Sequence, residues 1–140
     1  MGKLLNADKT EPIDDKLLYK DWLVFEVKNN HSNLAILELR DTPLEPGELL
    51  TAYGCTYENQ KTCSQDEYQG KFIETEGSHI RVTKPYPDLT YGLSGSPVLD
   101  KQNKVVGIVS TIFQSKSGKG LDFAPASSGY LKEVLNKLTG

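Results

Sequence analysis

The 140-residue sequence lacks any run of 18 apolar residues, so it contains no helical membrane span. It also lacks a block of like charge. Sixteen basic side chains stand against 19 acidic ones, for a net charge of −3, which excludes the basic patch of a nucleic-acid surface. Histidine is scarce, with only His31 and His79, and cysteine is limited to Cys55 and Cys63. Two cysteines with no histidine nearby make a poor zinc set, and neither a metal nor a cofactor is expected. The partner class left is a peptide or a protein. The start Met1-Gly2-Lys3 carries no secretory signal. A chain of this length is one domain or a large part of one, able to bury about 70% of its unfolded surface.

Cys55 and Cys63 flank the polar stretch Thr56–Thr62. In an oxidising compartment they close a small ring worth roughly 2.5 kcal/mol on the chain-entropy picture; otherwise they are two unrelated thiols. The first alternative tilts the localisation, otherwise undetermined, towards a secreted or periplasmic setting.

The most informative stretch is 90–111. Gly92-Leu93-Ser94-Gly95-Ser96-Pro97 forms a glycine-permitted bend that exposes a hydroxyl and aims successive backbone N–H groups at one point. Such a bend suits a nucleophile beside an oxyanion hole. Pro97–Leu99 and Val105–Val109, joined by the polar turn Lys101–Lys104, read as a hairpin packing the bend onto a core.

Gly-Xaa-Ser-Gly-Ser-Pro-Val, followed by Val-Val-Gly-Ile-Val-Ser, resembles the nucleophile region of trypsin-like (chymotrypsin-fold) serine proteases. Without a Gly-Asp-Ser-Gly-Gly core it is more similar to the bacterial branch, the glutamyl endopeptidases and high-temperature-requirement proteases. The resemblance implies Ser94 as nucleophile and the N–H groups of Gly92 and Ser94 as oxyanion hole; Ser96 is not the nucleophile. It makes Asp21, standing before the apolar run Trp22–Val27, the carboxylate that orients the triad histidine. Asp14 and Asp15 compete less well, since no apolar run follows them. Asp88, six positions before Ser94, falls where the family places the base of its specificity pocket, and an acid there selects Lys or Arg side chains. Asp88 also follows Pro87 and reads equally as a turn residue. Ser110, Thr111 and Ile112 match the strand edge that pairs with substrate backbone. Leu93 departs from the Asp or Asn usual before the serine, which excludes the buried ion pair that activates digestive zymogens.

The implied fold is all-β: a double antiparallel barrel with an incomplete first barrel, a complete second barrel and a C-terminal α-helix. The expected divisions are 1–45 as a remnant of the first barrel, 46–126 as the second, and 127–140 as the helix. Expected strands are Trp22–Val27, Leu34–Leu39, one ending at Tyr53-Gly54, Gly70–Glu74, His79–Thr83, Pro97–Leu99, Val105–Phe113 and Leu121–Ala124. Ser127 or Ser128 caps the helix, whose apolar face is Leu131, Val134, Leu135 and Leu138.

In the family the histidine base precedes the aspartate, yet none of the 20 residues before Asp21 is a histidine. His31 lies in an asparagine-rich turn, and His79 fifteen positions before Ser94 reads as an ordinary strand residue. Two functions stand: a serine endopeptidase domain, truncated and inactive as this chain, or a catalytically dead module that keeps the peptide cleft. A half-built first barrel also leaves open strand edges, which invites a homo-oligomer or a complementing fragment.

Overall fold

The computed structural model describes residues 2–83 and 91–140. Asp88 lies outside the described residues. Six strands, β1 (Leu49–Gly54), β2 (Asp66–Glu76), β3 (His79–Thr83), β4 (Pro97–Leu99), β5 (Val105–Gln114) and β6 (Leu121–Ser127), are followed by one helix, α1 (Ser128–Thr139). The strands close into an antiparallel barrel in the order β1-β2-β3-β6-β5-β4.

Period-2 alternation decides what the barrel encloses. In β2, Tyr68, Gly70 and Phe72 are buried while Glu67, Gln69 and Lys71 face water. Leu50, Ala52, Ile80, Val82, Val98, Val106, Val109 and Phe123 complete one core, and Leu93 is buried against it from the turn before β4. Closure gives every strand two neighbours, with β1 bonding both β2 and β4. An extra residue in β5 shifts its register against β6 between Ile108 and Thr111.

The outer wall of β3 and β6 is tied by charge. Arg81, 4% exposed, donates to Asp122 Oδ2 at 3.0 Å and Glu76 Oε2 at 2.6 Å, and lies over the Phe113 ring. His79 is buried beside that same ring, at 5.7 Å between centroids.

Residues 2–48 depart from expectation. Trp22–Val27 and Leu34–Leu39 form no strands: the first contributes one bridge, Leu4 to Phe25, and the second one bridge, Leu39 to Val105. The reason is a lack of partners. Both runs have strand-forming side chains, but no neighbouring strand among the described residues offers a ladder, so Leu23, Val27, Leu34 and Ile36 stay exposed. The open strand edges expected of this part are therefore absent among the described residues. Lys16–Lys20 falls instead in a short 3-10 helix, Asp15–Lys20, whose N-cap Asp14 accepts a bond from Lys16 N–H. In α1, Ser127 is the cap, accepting from Gly129 N–H at 3.0 Å. Of the four apolar positions only Val134 is buried; Leu135 and Leu138 remain exposed.

Candidate active site

The turn before β4 is shaped by two glycines in the left-handed region, Gly92 at φ +100° and Gly95 at φ +84°. Side-chain-bearing residues avoid that region, so the tight reversal on either side of Leu93 and Ser94 depends on both. Leu93 anchors the turn by pointing into the core, which leaves Ser94 outward and exposed. Gly95 N–H donates to Val109 O and Ser96 N–H to Leu93 O, both at 2.8 Å. The N–H groups of Gly92 and Ser94 donate to no backbone carbonyl among the described residues.

Asp21 reaches this region from the other end of the chain. It follows the 3-10 helix and is exposed. The residues after it are pinned: Trp22 Nε1 donates to Ser127 O at 3.1 Å, and Asn6 bridges Trp22 O (2.6 Å) and Val24 N–H (3.0 Å). Two backbone bonds, Leu5 N–H to Val24 O and Glu26 N–H to Lys3 O, extend the clasp. The carboxylate then accepts from Ser110 Oγ at 2.5 Å. Ser110 sits at the register shift in β5, and such bulges re-aim side chains. Asp21, Trp22, Leu23, Ser94, Gly95, Ile108, Val109 and Ser110 all line one depression of about 630 Å³.

The sequence-predicted residues thus divide. Ser94, Asp21 and Ser110 share the depression, although they lie 73 and 16 positions apart in the chain (94 − 21 and 110 − 94). Thr111 and Ile112 continue β5 beside it, paired on one side with Ala124 and Phe123 of β6. On their other side β4 has ended, since its pairing stops at Ile108. Neither His79 nor the exposed His31 lines the depression. Burial pushes the His79 imidazole below its ordinary value of 6.5, against the opposing pull of the Asp21 and Glu76 carboxylates.

Sequence reasoning missed the Ser110 hydroxyl as a partner of Asp21, having assigned Ser110 only a backbone role. It also missed the Asn6–Trp22 clasp. A lone asparagine 16 residues before a tryptophan carries no periodic signal, because the contact is made only by the folded chain.

Cys55 and Cys63 are joined by a disulfide, and the loop they close lies under the turn. Tyr57 N–H donates to Tyr91 O at 2.9 Å.

No family model and no curated protein matches the sequence. Solved structures match by shape. The serine endoprotease from Yersinia pestis superposes with a TM-score of 0.54 at 20% identity, over 76% of this chain and 36% of that one. The HtrA-type protease AlgW with a decapeptide gives 0.56 at 22%, over 84% and 36%. Rv3671c from Mycobacterium tuberculosis H37Rv, in an inactive form, gives 0.51 at 17%, over 79% and 56%. The chain spans little more than a third of the first two proteins and just over half of the third. At these identities the likeness is one of fold, and it agrees with the closed antiparallel barrel and its closing helix: this chain carries a barrel of the trypsin-like serine protease fold.

Proposed function

We propose that the chain is part of a serine endopeptidase domain, in which Ser94 is the nucleophile that attacks a peptide carbonyl. Asp21 orients the imidazole that takes the Ser94 proton, and the N–H groups of Gly92 and Ser94 receive the oxyanion of the tetrahedral intermediate. The carrying observation is the shared depression, lined both by an outward serine on a double-glycine turn and by Asp21. Its volume has room for an aromatic base between them, and we infer that a histidine from outside these 140 residues fills it. Ser110–Ile112 and the strand edge beyond Ile108 receive the substrate backbone as an added strand, and Asp88 selects a basic side chain. The AlgW structure holds a decapeptide, in keeping with a peptide ligand. The divisions 1–45, 46–126 and 127–140 accompany this reading, as does a complementing segment or second copy over the exposed apolar side chains of residues 13–37.

A second reading has an observation of its own. Neither histidine of the chain lines the depression, and a serine without an imidazole is a weak nucleophile, which favours a binding module that keeps the peptide cleft. Labelling with a fluorophosphonate, with and without added imidazole, separates the two. Modification that rises with imidazole and disappears in Ser94→Ala supports the endopeptidase. Absence of labelling in both conditions, and in a chain extended by a histidine-bearing segment, moves the assignment to the binding module.

A further inference from the structure

The turn that carries Ser94 rests on the loop closed by Cys55 and Cys63, and the contacts between them are specific. Gly54, the last residue of β1, lies so close that a Cβ there would stand 2.5 Å from Ser96 Oγ and 3.1 Å from Leu93 Cδ2. Thr56 is 2% exposed. Tyr57 N–H bonds Tyr91 O, and a Cβ on Gly92 would meet both Tyr57 N and Tyr57 Cδ1 at 2.9 Å. Residues 54–57 are therefore the floor beneath residues 91–96.

What fixes that floor is unusual for the barrel. From Tyr57 to Thr62 every residue is exposed, and the loop's own backbone bonds are short-range: Asn59 to Thr56, Thr62 to Asn59 and Cys63 to Asn59. A loop with so little buried surface opens at small cost unless a covalent tie restricts it. Both cysteines are half-buried at the base of this exposed loop.

We propose that the Cys55–Cys63 disulfide is a redox latch on the Ser94 turn, with Tyr57 as the positioning residue. Closed, it holds Tyr57 under Gly92 and keeps the turn in one geometry. A dithiol reductant opens it: one thiolate attacks a sulfur of the disulfide and releases one cysteine thiolate, and the reductant's second thiolate then attacks the first's sulfur in the mixed disulfide and releases the other cysteine. Cys55 and Cys63 take up two electrons and two protons as thiols, while the reductant leaves as its own disulfide. Tyr57 is then free to lift away, and the turn loses its floor. The consequence for catalysis rests on the endopeptidase reading; the latch itself does not.

The test is hydrogen exchange on the 140-residue chain, oxidised and after dithiothreitol, with the Cys55→Ser/Cys63→Ser double variant and, with the disulfide intact, Tyr57→Gly. The expected result is exchange at the Gly95 and Ser96 amides faster by on the order of tenfold on reduction and in both variants, with β2 and β3 unchanged. Unchanged exchange at 91–96, or equal acceleration throughout the barrel, overturns the latch. In parallel, fluorophosphonate labelling of Ser94 in added imidazole falls on reduction and returns on reoxidation. Equal labelling in both states also overturns the latch; labelling in neither state, with imidazole present and in the histidine-extended chain, counts against the endopeptidase while leaving the exchange result to decide the latch.

Discussion

The two parts of this chain have similar raw material and very different outcomes. The barrel from β1 to β6 buries Leu50, Phe72, Ile80, Val98 and Phe123 to 5% exposure or less, whereas the preceding segment leaves Ile13, Leu23, Val27, Leu34 and Ile36 at 70% or more. Local sequence does not account for the contrast by itself, since Trp22–Val27 carries the aromatic and β-branched residues of a strand and forms none. What differs is closure. Each barrel strand finds two neighbours and a filled interior that takes its inward apolar residues; the segment finds only isolated bridges. Burial is a property of partners, and strand propensity without them yields exposed apolar chain.

The largest effect that tests this contrast comes from truncating an apolar side chain in each part. Phe72→Ala should lower unfolding free energy by about 3–5 kcal/mol through lost burial and a residual cavity. Ile36→Ala should change it by no more than about 0.5 kcal/mol. Urea titrations of the two variants measure both. Comparable losses would mean that Ile36 is covered in solution, by a second copy or another segment.

Ion pairs should repeat the pattern at a smaller scale. Asp122→Asn leaves the Arg81 guanidinium buried with one charge partner fewer and should cost about 3 kcal/mol. Asp41, 92% exposed at its side chain and paired with Lys132 at 3.5 Å, should cost less than about 1 kcal/mol when changed to Asn. A small effect at Asp122 would show that Glu76, Glu74 and the Gln114 carbonyl satisfy Arg81 without it.

His79 gives the barrel a pH signature. Its folded pKa lies below the ordinary 6.5, so the unfolded chain takes up the proton first on acidification. Stability is at its full value above pH 6.5 and declines as pH falls from there towards the depressed folded value. The carboxylate of Glu76, held low by Arg81, adds its own loss only below its ordinary 4.5. His79→Leu should flatten the upper part of the curve and leave the lower part in place. Thermal unfolding between about pH 7.5 and 3 reads both parts.

These outcomes also show which features were legible in the sequence. His79–Thr83 and Pro97–Leu99 were read with their boundaries because glycine, proline or polar turns stop them at both ends. The strand read as Gly70–Glu74 runs from Asp66 to Glu76, since its water-facing side is Glu67, Gln69 and Lys71 and dilutes the apolar signal. Trp22–Val27 and Leu34–Leu39 were misread for the opposite reason: they carry the signal and have no ladder. At the site, Ser94 was visible through its glycines, which a tight exposed turn requires locally. The Ser110 hydroxyl was not, because its direction depends on a one-residue shift in β5 that appears only when β6 is paired.

That hydroxyl supplies the smallest and most discriminating test, since its bond to Asp21 joins the loosely held segment to the barrel. If the segment is docked as a unit by the Asn6–Trp22 clasp, then Ser110→Ala and Asp21→Ala remove the same interaction. Each should cost roughly 0.5–1.5 kcal/mol, and the double variant should cost little more than either one. Strict additivity would mean that Asp21 spends most of its time away from Ser110, so that the depression around Ser94 forms only in part. Adding Asn6→Ala separates the alternatives further. Loss of the clasp should abolish the coupling between Asp21 and Ser110 while leaving the Phe72→Ala effect untouched, because the closed barrel does not depend on the segment for its core.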